Sequence, residues 1–245
     1  MKLDIVNMNS ESKSHTRVKI CGLTSVEHVQ QAISIGADAI GMVFYDKSSR
    51  NINAERAIDL VRAAGPFVTT VGLFVNPQVD FVRRVLREVP LQLLQFHGDE
   101  TSDFCEQFER PYIKALRVKK IFDATEDKSP TKNQIEIREA KQDIVEESKK
   151  FVSAQGILLD AYSHKGRGGT GESFNWGCVP ESLPNSHLIL AGGLSEKNIA
   201  DAVRQTRPYA VDVSSGVESS PGHKDFEKMA GFVRAVREAD DQWMT

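Results

Sequence analysis

The sequence predicts a single (β/α)8 barrel, and three of its features carry that prediction. Short apolar runs rich in Val, Ile and Phe recur eight times along 245 residues. They are nearly continuous in hydrophobicity, as strands of a parallel sheet buried on both faces are. The segments between them carry helical patterns, and a βα unit repeated eight times with right-handed crossovers closes most naturally into a barrel. Barrels of about 250 residues are ordinary single units, so the length fits without a second domain. An open doubly wound sheet is the structural alternative.

The strands are expected at Val18–Ile20, Ala39–Phe44, Phe67–Val75, Leu91–Phe96, Tyr112–Val118, Gly156–Leu159, Leu188–Ala191 and Ala210–Val213. After the first, Thr24 and Glu27 read as a capping box for a helix carrying Val26, Val29 and Ile33, with Gly36 placed to end it. Asn53 can cap a helix with Ala57, Ile58 and Val61 that stops at Gly65-Pro66. Asn76-Pro77 sets a cap and first-turn proline ahead of Val79, Val82 and Leu86. Between Lys119 and Ser153 the connection is longer and more charged. Its Asp123–Lys132 part reads as an exposed loop, and Ile137, Ala140, Ile144 and Phe151 as one helical face. Ser195 can cap a helix with Ile199, Ala202 and Val203. The expected organisation is a polar N-terminal arm over 1–16, dispensable for activity, and a barrel over 17–240 with an enlarged connection near 119–133.

Composition narrows the function classes. The chain is 40% hydrophobic and 27% charged, an ordinary globular balance. Its 31 Lys+Arg against 34 Asp+Glu leave a net charge of -3, which favours neither a nucleic-acid backbone nor an anionic membrane surface, so any basic site must be local. Cys21, Cys105 and Cys178 lie far apart with no C-x-x-C pair, which suggests neither a disulfide framework nor a zinc site; a reducing cytosol is the expected compartment. No apolar run approaches a membrane span. With no obvious apolar surface helix, a monomer is expected.

In a (β/α)8 barrel the chemistry sits on the loops that follow the strands. Here those loops begin with Cys21-Gly22-Leu23-Thr24, Tyr45 to Arg50, His97-Gly98-Asp99-Glu100, Asp160, Gly192-Gly193-Leu194, and Ser214 to Glu218. A lone Cys after a strand is more often a small buried hydrophobe than a base, and a lone Asp is as readily a helix cap or ion-pair partner. An arginine in a polar loop is usually solvated, and glycines there are usually tight turns. Cys105, in a helical pattern, and Cys178, near a turn, read as structural.

Taken in order, several motifs together resemble the phosphoribosylanthranilate isomerase family of tryptophan biosynthesis. They are Val18-Lys19-Ile20-Cys21-Gly22-Leu23-Thr24, the Phe44–Arg50 loop, Val71-Gly72-Leu73-Phe74-Val75-Asn76, Gln95-Phe96-His97-Gly98, Gly168-Gly169-Thr170-Gly171 and Val211–Glu218. The resemblance runs from Val18 to about Arg237. It implies a (β/α)8 barrel that isomerises N-(5-phosphoribosyl)anthranilate, a sugar phosphate carrying an anthranilate group, without a cofactor or metal. Position by position it implies Cys21 as general base, Asp160 as general acid and Arg50 as the partner of the anthranilate carboxylate. The phosphate is expected on Gly192, Gly193, Ser215 and Gly216, near a short helix beginning at Gly216 or Val217. His97 and Asp212 are expected in support; Asp212, inside an apolar strand, must be hydrogen-bonded or paired.

The chemistry needs such an acid and base. Ring opening requires a proton at the ring oxygen, and the next step removes the proton from C2 of the sugar. For an aspartate to deliver that proton near neutrality, burial or a nearby negative charge must raise its pKa. The thiol in turn needs modest lowering, expected from the helix N-terminus near Thr24 or a local cation. Lys165-Gly166-Arg167-Gly168-Gly169-Thr170-Gly171 lacks P-loop spacing and reads as a mobile loop over the site, its cations adding positive field. The family usually continues to Phe-Asp-Trp where this chain has Phe174-Asn175-Trp176, a change that bears on a capping or pairing contact. The related histidine-pathway isomerase generally has Asp at the Cys21 position and a second phosphate site, so Cys21 and Arg50 argue against it. A silent barrel that binds a sugar phosphate or a protein would not require Cys21, Asp160 and the glycine turns together.

Overall fold

Side chains that point both into a barrel and out toward its helices are removed from water, which is why these strands lack alternation. The computed structural model describes residues 15–118, 130–161 and 174–242. Its strands are β1 (Arg17–Cys21), β2 (Ala39–Phe44), β3 (Thr69–Phe74), β4 (Leu93–Phe96), β5 (Tyr112–Val118), β6 (Gly156–Ala161), β7 (His187–Leu190) and β8 (Ala210–Val213). Each pairs in parallel with the next, and β8 pairs back onto β1, so the sheet closes in chain order. The open-sheet alternative is thereby excluded. A small antiparallel hairpin, β9 (Glu218–Ser220) and β10 (His223–Lys224), follows β8.

Helices α1 (Val26–Ser34), α2 (Ala54–Ala64), α3 (Val79–Glu88), α4 (Ser102–Glu106), α5 (Pro130–Ser148), α6 (Ile199–Thr206) and α7 (Phe226–Asp241) form the outer layer. Between β6 and β7 the described residues hold a 3-10 turn at Trp176–Cys178 and no α-helix. Asn175 caps that turn by accepting from the Gly177 N–H at 2.8 Å, so asparagine fills the capping role at this position. The main core lies between sheet and helices, where Phe44 stacks on Phe74 at 5.2 Å and Phe96 meets Phe104, Phe108 and Tyr112.

Several local expectations are corrected. The cap of α1 is Ser25, which accepts from the His28 N–H, while Thr24 instead donates to the Gly222 carbonyl at 3.0 Å. The cap of α3 is Gln78, because Asn76 adopts φ 46° and its side chain accepts from the Asp99 N–H. The helix after β7 begins at Ile199 with Asn198 as its cap, and Ser195 donates its N–H to the Asn198 side chain. Phe67 is fully exposed ahead of β3, since the chain turns at Pro66 and enters the sheet only at Thr69. Helix α5 begins at Pro130, inside the stretch expected to be loop, and Asn53 and Gly36 behave as expected. The arm up to residue 14, the connection over 119–129 and the Lys165–Gly171 loop lie outside the described residues.

Candidate active site

Alternation along a strand decides which side chains enter the barrel. Lys19 and Cys21 on β1, Gln95 on β4 and His97 just after it, Leu158 and Asp160 on β6, and Ala210 and Asp212 on β8 share this inward phase. One interior layer is apolar, with Ile113, Ala115, Leu158, Ile189, Ala191 and Ala210. Toward the strands' C-terminal ends it gives way to polar groups and to Cys21, which packs with Val43, Leu73 and Val75. A cleft opens there. Cys21, Arg50, His97, Asp160, Gly192, Gly193, Asp212, Ser215 and Gly216 all line it, so every predicted site residue is brought to one place.

Asp160 is buried at the end of β6, and its Oδ2 lies 2.9 Å from His97 Nε2. The other ring nitrogen, Nδ1, lies 3.0 Å from the Gln95 side-chain nitrogen. With Gln95 donating to Nδ1, the imidazole proton sits on Nε2 and is directed at Asp160. His97 is thus fixed between a glutamine and the carboxylate, in the supporting position expected of it. Gly192, at φ 81°, packs against the same strand end, where a Cβ would stand 2.4 Å from the Ala161 nitrogen and 2.9 Å from Asp160 Oδ1. Only glycine lets the β7 turn close over the carboxyl.

Cys21 sits across this interior in a different environment. Burial pushes its thiol up, opposite to the lowering expected from sequence, while the nearby Lys19 ammonium pulls it back down. Helix α1 starts only at Val26, so the cation and not a helix end is what opposes the desolvation. Lys19 Nζ donates to Asp212 Oδ1 at 2.9 Å, and both side chains are buried. Asp212 therefore has the partner its place in an apolar strand demanded. Burial likewise pushes Cys105 up to about 12 and raises Cys178, which suits packing roles for both.

Arg50 is held from behind. Its Nε and Nη2 donate to the two Glu218 carboxylate oxygens at 2.7 and 2.6 Å, and Lys224 Nζ donates to Glu218 Oε1 at 2.7 Å. Burial alone would raise the Glu218 carboxyl, but Arg50 and Lys224 hold it below the usual carboxylate range. The β9–β10 hairpin thus serves as a brace between β8 and the loop after β2. One edge of the guanidinium is fixed by Glu218, which orients the planar group toward the cleft it lines.

The loops after β7 and β8 approach closely. A Cβ on Gly216 would stand 1.8 Å from the Leu194 carbonyl oxygen, so glycine is required for the two backbones to meet. Ser215–Val217 is a 3-10 turn, beginning one residue before the expected start.

Sequence reasoning missed Lys19, Gln95, Glu218 and Lys224 as members of these networks. Lys19 carried the same signal that singled out Asp212, a charge inside an apolar run (Val18-Lys19-Ile20), and the two belong together. Glu218 and Lys224 carry no such signal, since the hairpin that points them at Arg50 is a tertiary feature.

Fold and cleft together define a (β/α)8-barrel enzyme with ionisable side chains converging at the C-terminal ends of its strands. Residues 18–235 match the profile of the family described as N-(5'phosphoribosyl)anthranilate (PRA) isomerase, and the chain belongs to that family. The N-(5'-phosphoribosyl)anthranilate isomerase of Legionella pneumophila (strain Lens) is 48% identical over 223 residues, covering 91% of this chain and 98% of that protein. The phosphoribosyl anthranilate isomerase structure from Thermotoga maritima is similar at TM-score 0.70 and 32% identity, covering 91% of this chain and 99% of the other. A structure of the isomerase in complex with reduced 1-(o-carboxyphenylamino)-1-deoxyribulose 5-phosphate is similar at TM-score 0.68 and 31% identity, with coverage of 91% and 99%.

Proposed function

We propose that this chain converts N-(5-phosphoribosyl)anthranilate to 1-(2-carboxyphenylamino)-1-deoxy-D-ribulose 5-phosphate by an Amadori rearrangement, the third step of tryptophan synthesis from chorismate. The observation that carries this reading is a buried carboxyl on β6 and a buried thiol on β1 lining one cleft with Arg50, in a chain of this family. Purified protein should convert freshly made substrate, followed by loss of the substrate's fluorescence. No conversion under conditions where a relative is active would overturn the proposal.

Asp160 gives a proton to the ring oxygen as the anilinic nitrogen forms the iminium, and the C1–O bond breaks. Cys21 then removes the C2 proton, moving that electron pair into the C1–C2 bond and neutralising the iminium. The resulting enol ketonises as C1 gains a proton, so no atoms are lost and no oxidant is needed. His97 Nε2 donates to Asp160 and holds the carboxyl in place; the acid is restored by the C2 hydroxyl proton released as the enol ketonises, while Cys21 returns its proton to C1. Backbone N–H groups around Gly192, Gly193, Ser215 and Gly216 take the phosphate.

Arg50 takes the anthranilate carboxylate, held ready by Glu218. Replacing Arg50 with Ala should raise KM about 10- to 100-fold with a smaller change in kcat, the size of one lost charge-assisted contact. Glu218→Gln should shift KM in the same direction by less, because the guanidinium keeps its charge and loses only part of its orientation. Steady-state kinetics check both, and an unchanged KM in the Arg50 variant would remove it from substrate recognition.

The cysteines are all free and buried, which supports a reducing, cytosolic setting. Among the described residues no helix is long and apolar enough to cross a membrane. Every group invoked comes from one chain, so a monomer suffices for this chemistry.

A further inference from the structure

We propose that Lys19 is a positioning residue for the isomerisation: its ammonium lowers the cost of ionising the Cys21 sulfur when the base acts, Asp212 fixes that ammonium, and Gly41 leaves the two groups room to approach. This inference rests on the reading of Cys21 as the base.

The barrel's closure builds the arrangement. Lys19 and Cys21 lie two positions apart on β1 and so face the same way. In register, Lys19 stands beside Asp212 on β8, and Cys21 stands beside Gly41 on β2. A Cβ on Gly41 would stand 2.8 Å from Cys21 Sγ and 3.0 Å from Lys19 Nζ, so sulfur and ammonium crowd around a single point. An ammonium carries three N–H donors, and Asp212 takes one of them at 2.9 Å.

The energetic need is plain. A thiolate in this buried layer has lost most of its water and is costly unless a cation compensates. Three charged groups act on the sulfur. Lys19 on β1 favours the anion, Asp212 on β8 opposes it, and Lys224 on β10, itself paired with Glu218, favours it more weakly. Lys19 is therefore the main opponent of desolvation. Asp212 has a double action: it disfavours the thiolate by charge but fixes the lysine ammonium through a 2.9 Å hydrogen bond.

A Lys19–Asp212 pair that merely joined β1 to β8 would affect stability and leave the thiol's titration alone, which separates the two roles. The ultraviolet absorbance of the Cys21 thiolate should be titrated in the wild-type protein and in Lys19→Met and Gly41→Ala, with Cys21→Ser subtracted in each background to remove Cys105 and Cys178. Lys19→Met is expected to raise the Cys21 midpoint by about 1 pH unit or more, with kcat at neutral pH falling about 10-fold and recovering as pH rises. Gly41→Ala changes no charge but presses a methyl group against both sulfur and ammonium, and should raise the midpoint by a smaller amount. A folded Lys19→Met protein with an unmoved midpoint overturns the proposal. If that variant does not fold, Gly41→Ala decides in the same way. Failure of the base assignment itself would show separately, as turnover retained in Cys21→Ser.

Discussion

Asp160→Asn is expected to lower kcat about 10²- to 10⁴-fold, the range lost when a positioned general acid is removed. Asparagine has nearly the shape of aspartate and can still sit against Gly192 and accept from His97 Nε2, so packing at the end of β6 should survive. What it cannot do is carry a transferable proton. KM and the thermal midpoint should stay close to wild type, which distinguishes a chemical loss from a folding one. Asp160→Ala is a poorer test, because it would leave the buried imidazole facing an empty space as well as removing the acid. A kcat within a few-fold of wild type in the asparagine variant would assign ring opening to another group. His97, joined to Asp160 at 2.9 Å, would then be the first to examine.

Cys21→Ala should produce a loss of similar size, about 10²-fold or more, confined to the step that removes the C2 proton. The substitution leaves a small void against Val43, Leu73 and Val75, costing about 1 kcal/mol of stability, too little to unfold a domain of ordinary stability. Substrate deuterated at C2 offers a sharper readout than rate alone. Proton removal should become the slowest step in the variant, so its isotope effect should grow above the wild-type value. Undiminished turnover, or a rate loss with no growth in the isotope effect, would refute the role. The two substitutions also bear on each other: residues that act in sequence on one substrate should show a combined loss smaller than the product of their separate effects.

The parts of this site legible in the sequence are those that depend on position along the chain. Apolar runs marked strands, and the residues beyond them, Cys21, Arg50, His97 and Asp160, reach one cleft because parallel strands in a barrel all end at the same face. Asp212 was legible as a charge that needed a partner. Errors arose where local signals competed. Thr24 and Ser25 are both capping residues separated by one position, and the hydrogen bond to Gly222 settles which is free to cap. Phe67 belongs to an apolar run, yet strand β3 begins only where Thr69 can pair with Ala39 on β2. Asn76 precedes a proline at a helix start, but its side chain is drawn to the loop after β4.

Periodicity therefore predicts the architecture and the face on which strand-end residues converge, while the roles proposed for Cys21, Asp160 and Arg50 come from the family resemblance. Which groups touch is another matter. Lys19 meets Asp212 only because β8 closes onto β1, and Arg50 meets Glu218 only because a hairpin folds back across the barrel mouth. Hydrophobic pattern is a property of each segment and its burial, whereas an ion pair between residues far apart in the chain depends on register between strands. A change of one residue in that register would turn Lys19 and Cys21 outward together and part the lysine from Asp212. The tertiary structure thus decided how the thiol, the carboxyl and the guanidinium are each held.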